Sequence, residues 1–324
     1  MTYRSEIESS PKSLRRRMDL RSCVIVLATL GCSTSVSTVG GEGEREISAR
    51  PLTSAVYVDV TEAERLRAAG ATILDTRDAE AFAAGHIPGA LHAEWSVFQD
   101  ANREGEYTED DPVLVEQAAR ALGIRHERPI VVYGAGRGTS SSRLAWSLEH
   151  YGHSDVHILD GGFDAWLAES GASASTETTT VEPGDFVVEW RPELLATQED
   201  VTRALDEGDA VFFDARSLEE YAGTDTRDNP RRGHIPGAIH FEWTRVFDES
   251  GKLRPENELR TELTELGLIG EGKLVIPYCQ GGFRSSVIYS VLRWLGEPEV
   301  ANYDGSWWEY SRNSDLPAEI TPGS

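Results

Sequence analysis

Cys279 is the residue whose setting in this chain most clearly permits chemistry. It stands in Tyr278-Cys-Gln-Gly-Gly-Phe-Arg284-Ser-Ser, directly after the short apolar run Leu274-Val-Ile-Pro-Tyr278 and before a helical pattern over Ser285–Leu295. A cysteine at a strand end, followed by a glycine-bearing loop that opens a helix, points its sulfur at the loop's backbone N–H groups. Those donors and the helix dipole favour an anion, and Arg284 adds a fixed positive charge. Such surroundings lower a thiol pKa, and the thiolate is the nucleophile. Gly281 and Gly282 let the loop curl without side-chain clashes, and Ser285 or Ser286 can cap the helix. The competing reading is an inert buried cysteine, the commonest fate of a free Cys.

Only Gln280, Gly281, Gly282 and Phe283 separate Cys279 from Arg284. Cysteine-dependent phosphatases place that arginine one residue further on. The tighter ring here is too small to cup a phosphate comfortably and suits a single anionic sulfur. No motif supplies an Asp as general acid beside the loop, so sulfur chemistry is favoured over phosphoryl chemistry.

The elements that must position this loop occur twice. Ile73-Leu-Asp-Thr-Arg77 returns as Phe212-Phe-Asp-Ala-Arg216, and Gly85-His-Ile-Pro-Gly-Ala-Leu-His-Ala-Glu-Trp95 returns as Gly233-His-Ile-Pro-Gly-Ala-Ile-His-Phe-Glu-Trp243. Pro129–Tyr133 matches Leu274–Tyr278, and Asp160-Gly-Gly-Phe163 matches Asp304-Gly-Ser-Trp307. A repeat of this length indicates a duplicated domain. The copies are expected at 53–170 and 185–313, with a linker at 171–184, a tail at 314–324 and a leader with tether over 1–52. Short β-rich runs alternating with amphipathic helical patterns, as at Ser140–Tyr151, predict an α/β fold. Each copy is expected to be a mostly parallel sheet flanked by helices, with ligands at the C-terminal strand ends.

The duplication is an internal control. Residues shared by both copies are explained most cheaply by the fold. His86 and His234 are therefore expected to be structural, Asp75/Arg77 and Asp214/Arg216 to form buried posts, and Trp95/Trp243 and Phe163/Trp307 to pack in core or rim. Gly134, by contrast, stands where Cys279 stands, in a loop reading Gly134-Ala-Gly-Arg-Gly-Thr139. The first copy is thus expected to be catalytically inactive.

Charge and cysteine count bound the rest. The 324 residues carry 55 Asp plus Glu against 31 Lys plus Arg, a formal net charge of -24 that disfavours nucleic acid as a partner. Three cysteines cannot build a disulfide framework. Cys23 and Cys32 lie near the N-terminus, where Arg15, Arg16, Arg17 and Arg21 precede the apolar run Cys23–Leu30. That run is too short to span a bilayer and reads as a secretory signal. Gly31-Cys32 resembles a lipoprotein acylation site, with Thr29 and Leu30 departing from the usual pattern. The expectation is a protein of the periplasm or cell envelope, touching membrane only through a lipid on Cys32. The alternative is a cytoplasmic protein with an unstructured extension.

Taken together, the two Gly-His-Ile-Pro-Gly turns, the two Asp-x-Arg strand ends and Tyr278-Cys-Gln-Gly-Gly-Phe-Arg-Ser resemble the tandem-domain rhodaneses, the thiosulfate sulfurtransferases. The resemblance covers about Thr53 to Asn313. It implies that Cys279 takes the outer sulfur of thiosulfate as a persulfide and passes it to a thiophilic acceptor, cyanide or a thiol. It further implies that the amides from Gln280 to Arg284 hold the persulfide, that Arg284 attracts the dianion, and that neither metal nor organic cofactor is needed. Relatives preferring 3-mercaptopyruvate usually have a loop resembling Cys-Gly-Ser-Gly-Val-Thr and an arginine where Glu220 precedes Tyr221. Their carboxylate-binding arginine is therefore missing here, and thiosulfate is favoured. The second copy has nine extra residues between its Asp-x-Arg and its Gly-His turn, bringing in Arg227, Arg231 and Arg232. They are expected either to form a positive funnel for thiosulfate or to be a solvated loop. Rhodanese domains also serve as non-catalytic relay or binding modules, which the first copy fits. A monomer is expected, the two joined copies forming a pseudo-dimer.

Overall fold

The computed structural model describes residues 51–98, 111–169 and 171–321. Residues 1–50 of the expected leader and tether, with Cys23 and Cys32, lie outside them. In the first copy the strands are β1 (Tyr57–Val58), β2 (Thr72–Asp75), β3 (Leu91–His92), β4 (Ile130–Tyr133) and β5 (Val156–Leu159). They form one sheet in the order β1-β5-β4-β2-β3, with every pairing parallel. The second copy has β6 (Leu195–Ala196), β7 (Ala210–Asp214), β8 (Ile239–His240), β9 (Leu274–Tyr278) and β10 (Asn302–Tyr303). Here β8, β7 and β9 pair side by side, β10 pairs with β6, and a parallel bridge from Val275 to Val300 joins the two groups. The order β6-β10-β9-β7-β8 therefore repeats that of the first copy, and the expected α/β architecture is observed twice.

The helices begin where local chemistry dictates. Asp59 and Asp78 accept the backbone N–H of Glu62 and Ala81. Thr197 and Ser217 form full capping boxes with Asp200 and Glu220. β4 and β9 are buried on both faces, as four- or five-residue apolar runs in a covered parallel sheet must be.

The shared residues form the scaffold. Arg77 pairs with Asp75 and donates to the Gly85 carbonyl, and Arg216 does the same with Asp214 and Gly233. His86 bonds the Phe82 carbonyl and His234 the Tyr221 carbonyl, so both histidines are posts of the turn. Trp307 and Phe163 are buried in their cores.

Two boundaries differ from expectation. The stretch 171–184 has no helix, yet it is built onto the first copy: Ser175 bridges to His86 and Trp166 donates to the Ser173 carbonyl. The segment beyond Asn313 does the same for the second copy, where Glu319 bridges to His234 and Leu316 packs on the core. Phe186, placed by sequence in the second copy, is fully buried in the first copy's core beside Ile124 and Tyr151. Composition marks 171–184 as a linker because its side chains are polar, and 314–324 is expected as a tail, but in both segments the backbone pairs with the adjoining copy.

The copies pack through helices Thr139–His150 and Phe283–Trp294. The contact is sealed by Glu149, which accepts from Tyr289 at 2.9 Å and Arg293 at 2.5 Å. Among the described residues no helix is long and apolar enough to cross a membrane.

Candidate active site

Cys279 follows β9 immediately and is 1% exposed. The sheet order brings β9 between β7 and β10, so the loop after it opens at the carboxyl edge of the sheet, where such folds bind ligands. The loop is braced from a second loop. Trp307 and Trp308 donate their N–H groups to the Cys279 and Gln280 carbonyls, both at 3.0 Å. In the first copy, Phe163 donates to Gly134 in the same way.

Burial by itself would raise the Cys279 pKa. The Arg284 charge, the N–H groups of Ser285 and Gly281 and the Ser285 hydroxyl outweigh it, so the thiol lies below its ordinary value. Gly282 caps the following helix with φ +80°, and a Cβ there would run into Asp304 and Arg143, so glycine is required twice over.

Arg284 interacts with the Cys279 thiol and is held by Glu220, its Nη1 and Nη2 donating at 2.5 and 2.8 Å to the two carboxylate oxygens. Glu220 is 3% exposed, and burial disfavours its charge. Arg284 and, behind it, the Ser217 N–H and the Arg216 charge outweigh burial and hold the carboxyl at about 2. Arg284 in turn rises above its ordinary value, burial opposing and Glu220 and Cys279 favouring its charge.

The three arginines of the inserted segment separate. Arg227 is half exposed, with its Nη1 3.8 Å from Glu220. Arg231 does not face the loop: its guanidinium donates to the carbonyls of Ser311, Leu316 and Tyr310, fixing the C-terminal segment. Arg232 is exposed and makes no hydrogen bond or ion pair among the described residues. A funnel of three cations is therefore not what the segment forms. It docks instead through Asn229, whose side-chain amide exchanges two 3.0 Å hydrogen bonds with that of Gln280. Arg227 and Asp228 both hold positive φ, 46° and 58°, in making that turn.

Phe283 faces the first copy. The Trp95 ring meets it edge-on at 4.5 Å, and the Arg143 guanidinium lies 5.6 Å from its centroid. Arg143 is buried and paired with Asp304, its Nη2 2.9 Å from Oδ2.

Three contributors were missed in the sequence: Ser306, Asn229 and the partnership of Glu220 with Arg284. Ser306 is fully buried at φ +52°, and its Oγ accepts the N–H of Cys279 at 3.0 Å and of Gly282 at 3.1 Å. The comparison of copies could have found two of them. Ser306 stands where Gly162 stands, and Glu220 where Ala81 stands, each aligned by its cap and its turn.

The fold and the site define a duplicated α/β protein carrying a buried thiol of lowered pKa at the central strand end of its second copy. Rhodanese-like domains match it over residues 59–169 and 197–313, and the chain belongs to the rhodanese family of sulfurtransferases. Among its relatives, a thiosulfate sulfurtransferase of Pseudomonas aeruginosa is 35% identical over 80% of this chain and 94% of its own length. One of Azotobacter vinelandii is 33% identical over 79% and 93%. A 3-mercaptopyruvate sulfurtransferase of Escherichia coli K12 is 32% identical over 76% and 87%. An anaerobic ergothioneine biosynthesis enzyme from Chlorobium limicola shares the fold at TM-score 0.73 and 23% identity, over 83% of this chain and 71% of that one.

Proposed function

We propose that the second copy transfers the sulfane sulfur of thiosulfate to a thiophilic acceptor through a persulfide on Cys279. The observation that carries this reading is the thiol itself, buried, lowered in pKa and ringed by Gly281, Arg284 and Ser285. The Cys279 thiolate attacks the outer sulfur of thiosulfate. The S–S bond of the donor breaks, its electron pair leaves with sulfite, and a Cys279 persulfide anion remains. The loop N–H groups stabilise that anion. An acceptor nucleophile then attacks the outer sulfur, and the electron pair of the Cys279–sulfur bond returns to the thiolate. With cyanide the product is thiocyanate.

The donor is the finer choice. The arginine that relatives preferring 3-mercaptopyruvate carry before the aromatic at Tyr221 is replaced here by Glu220, whose carboxylate is already taken by Arg284, and this supports thiosulfate. Thiocyanate formation from thiosulfate and cyanide tests the activity, and Cys279→Ser is expected to abolish it. Absence of turnover in the wild type, or full turnover in the variant, would sink the proposal. A kcat/KM higher for 3-mercaptopyruvate than for thiosulfate would reverse the choice of donor. The exported, Cys32-acylated form is a separate proposal resting on the leader, and the mass of the native N-terminus tests it.

A further inference from the structure

We propose that Glu220 is the positioning residue of Arg284, holding its guanidinium at the Cys279 thiol. This goes beyond the sulfur-transfer reading but rests on its use of Cys279 as the nucleophile. Both Nη atoms of Arg284 are bound by the two oxygens of one carboxylate, a fork-to-fork contact that fixes the guanidinium plane as well as its place. The carboxylate is itself anchored, because its Oε2 accepts the Ser217 N–H at 3.1 Å within the capping box. An unheld arginine samples many rotamers, and a buried carboxylate without a partner is costly, so the two groups require each other.

The duplication singles out the same pair. The first copy has Ala81 at the Glu220 position, Ser140 at the Arg284 position in the matching helix, and Gly134 in place of Cys279. There Ala81, Ser140 and Gly134 line an open cavity of about 550 Å³. Carboxylate, guanidinium and thiol thus stand together at three positions of one copy and are missing together from the matching three positions of the other, whose cavity takes its charged lining from Arg77, Asp78 and Arg137 instead. The charged and polar groups facing Glu220 are Arg284, Arg227, Arg216 and Ser217. Those facing the thiol are Arg284, Ser285 and Ser306.

The test is the pH midpoint of thiolate ultraviolet absorbance in the full-length chain, taken as a difference against Cys279→Ser. Glu220→Ala and Arg284→Ala are each expected to raise the midpoint by about one pH unit. Added to Arg284→Ala it should raise it no further. Glu220→Gln, which keeps one acceptor without the charge, should shift it less, and carries the same cycle if the alanine variant does not fold. An unchanged midpoint overturns the proposal. A lowered one also overturns it, since Glu220 would then merely cancel the Arg284 charge. Equal shifts with and without Arg284 would show a general structural effect and overturn it as well. The absorbance needs no sulfur donor, so failure of thiosulfate turnover leaves this measurement standing.

Discussion

Trp95 of the first copy packs edge-on against Phe283 of the Cys279 loop, with ring centroids 4.5 Å apart and planes at 80°. The copy that lacks the cysteine therefore supplies one wall of the loop that carries it. An edge-to-face aromatic pair contributes about 0.5–1.5 kcal/mol beyond its buried area. Trp95→Ala is expected to lower kcat/KM for sulfur transfer about 2- to 10-fold, the factor those energies allow. Steady-state kinetics check this, and wild-type kcat/KM in the variant would show that the contact does not bear on the site.

Ser306 combines a left-handed backbone with two accepted hydrogen bonds, so two substitutions separate its contributions. Ser306→Ala keeps the strained φ of +52° and leaves the buried N–H groups of Cys279 and Gly282 without their acceptor. Ser306→Gly loses the same acceptor but relieves the strain, about 1 kcal/mol for a residue in this region. Both variants should be less stable than wild type, with the alanine form lower by roughly 1 kcal/mol in urea unfolding. Equal stabilities would mean that the backbone carries no strain there.

Asp304 and Arg143 form a buried ion pair between the two copies, directly beneath Gly282. Removing one partner of a buried ion pair costs about 3–5 kcal/mol. Asp304→Asn is expected to lower the urea midpoint accordingly. Replacing both partners by apolar residues should cost less than the single change. A double variant as unstable as Asp304→Asn would contradict that account.

Acid should weaken the protein partly through Glu220. Its folded pKa of about 2 lies below the ordinary 4.5, so its stabilising contribution is complete above 4.5 and is lost as the pH falls from there towards 2. The size is on the order of 3 kcal/mol. Urea unfolding at about pH 6 and about pH 3 should show the wild type exceeding Glu220→Gln in stability at the higher pH, with the gap shrinking at the lower one. A gap independent of pH would assign the effect to something other than this carboxylate.

The duplication, the parallel α/β copies and the place of Cys279 were all legible in the sequence, because they rest on local patterns. A buried strand reads as a short apolar run, a helix start as a cap, and a loop lacking side chains as glycines. The structural roles of His86 and His234 followed from their presence in both copies. The partners of Arg284, Arg231 and Phe283 were not legible. Nothing in the order of residues says that Arg231 turns onto the carbonyls of Ser311, Leu316 and Tyr310 while Arg227, four residues earlier, turns towards Glu220.

Those outcomes depend on contacts far apart along the chain. Glu220 reaches Arg284 only because β7 and β9 lie side by side, and Trp95 reaches Phe283 only because the two copies pack through matching helices. Residue type and spacing by themselves determined that one thiol stands at the end of a central strand, in a loop built to favour an anion. The tertiary structure decided which charges surround it, since a long arginine side chain goes wherever buried acceptors lie, and those acceptors are assembled only when the sheet forms.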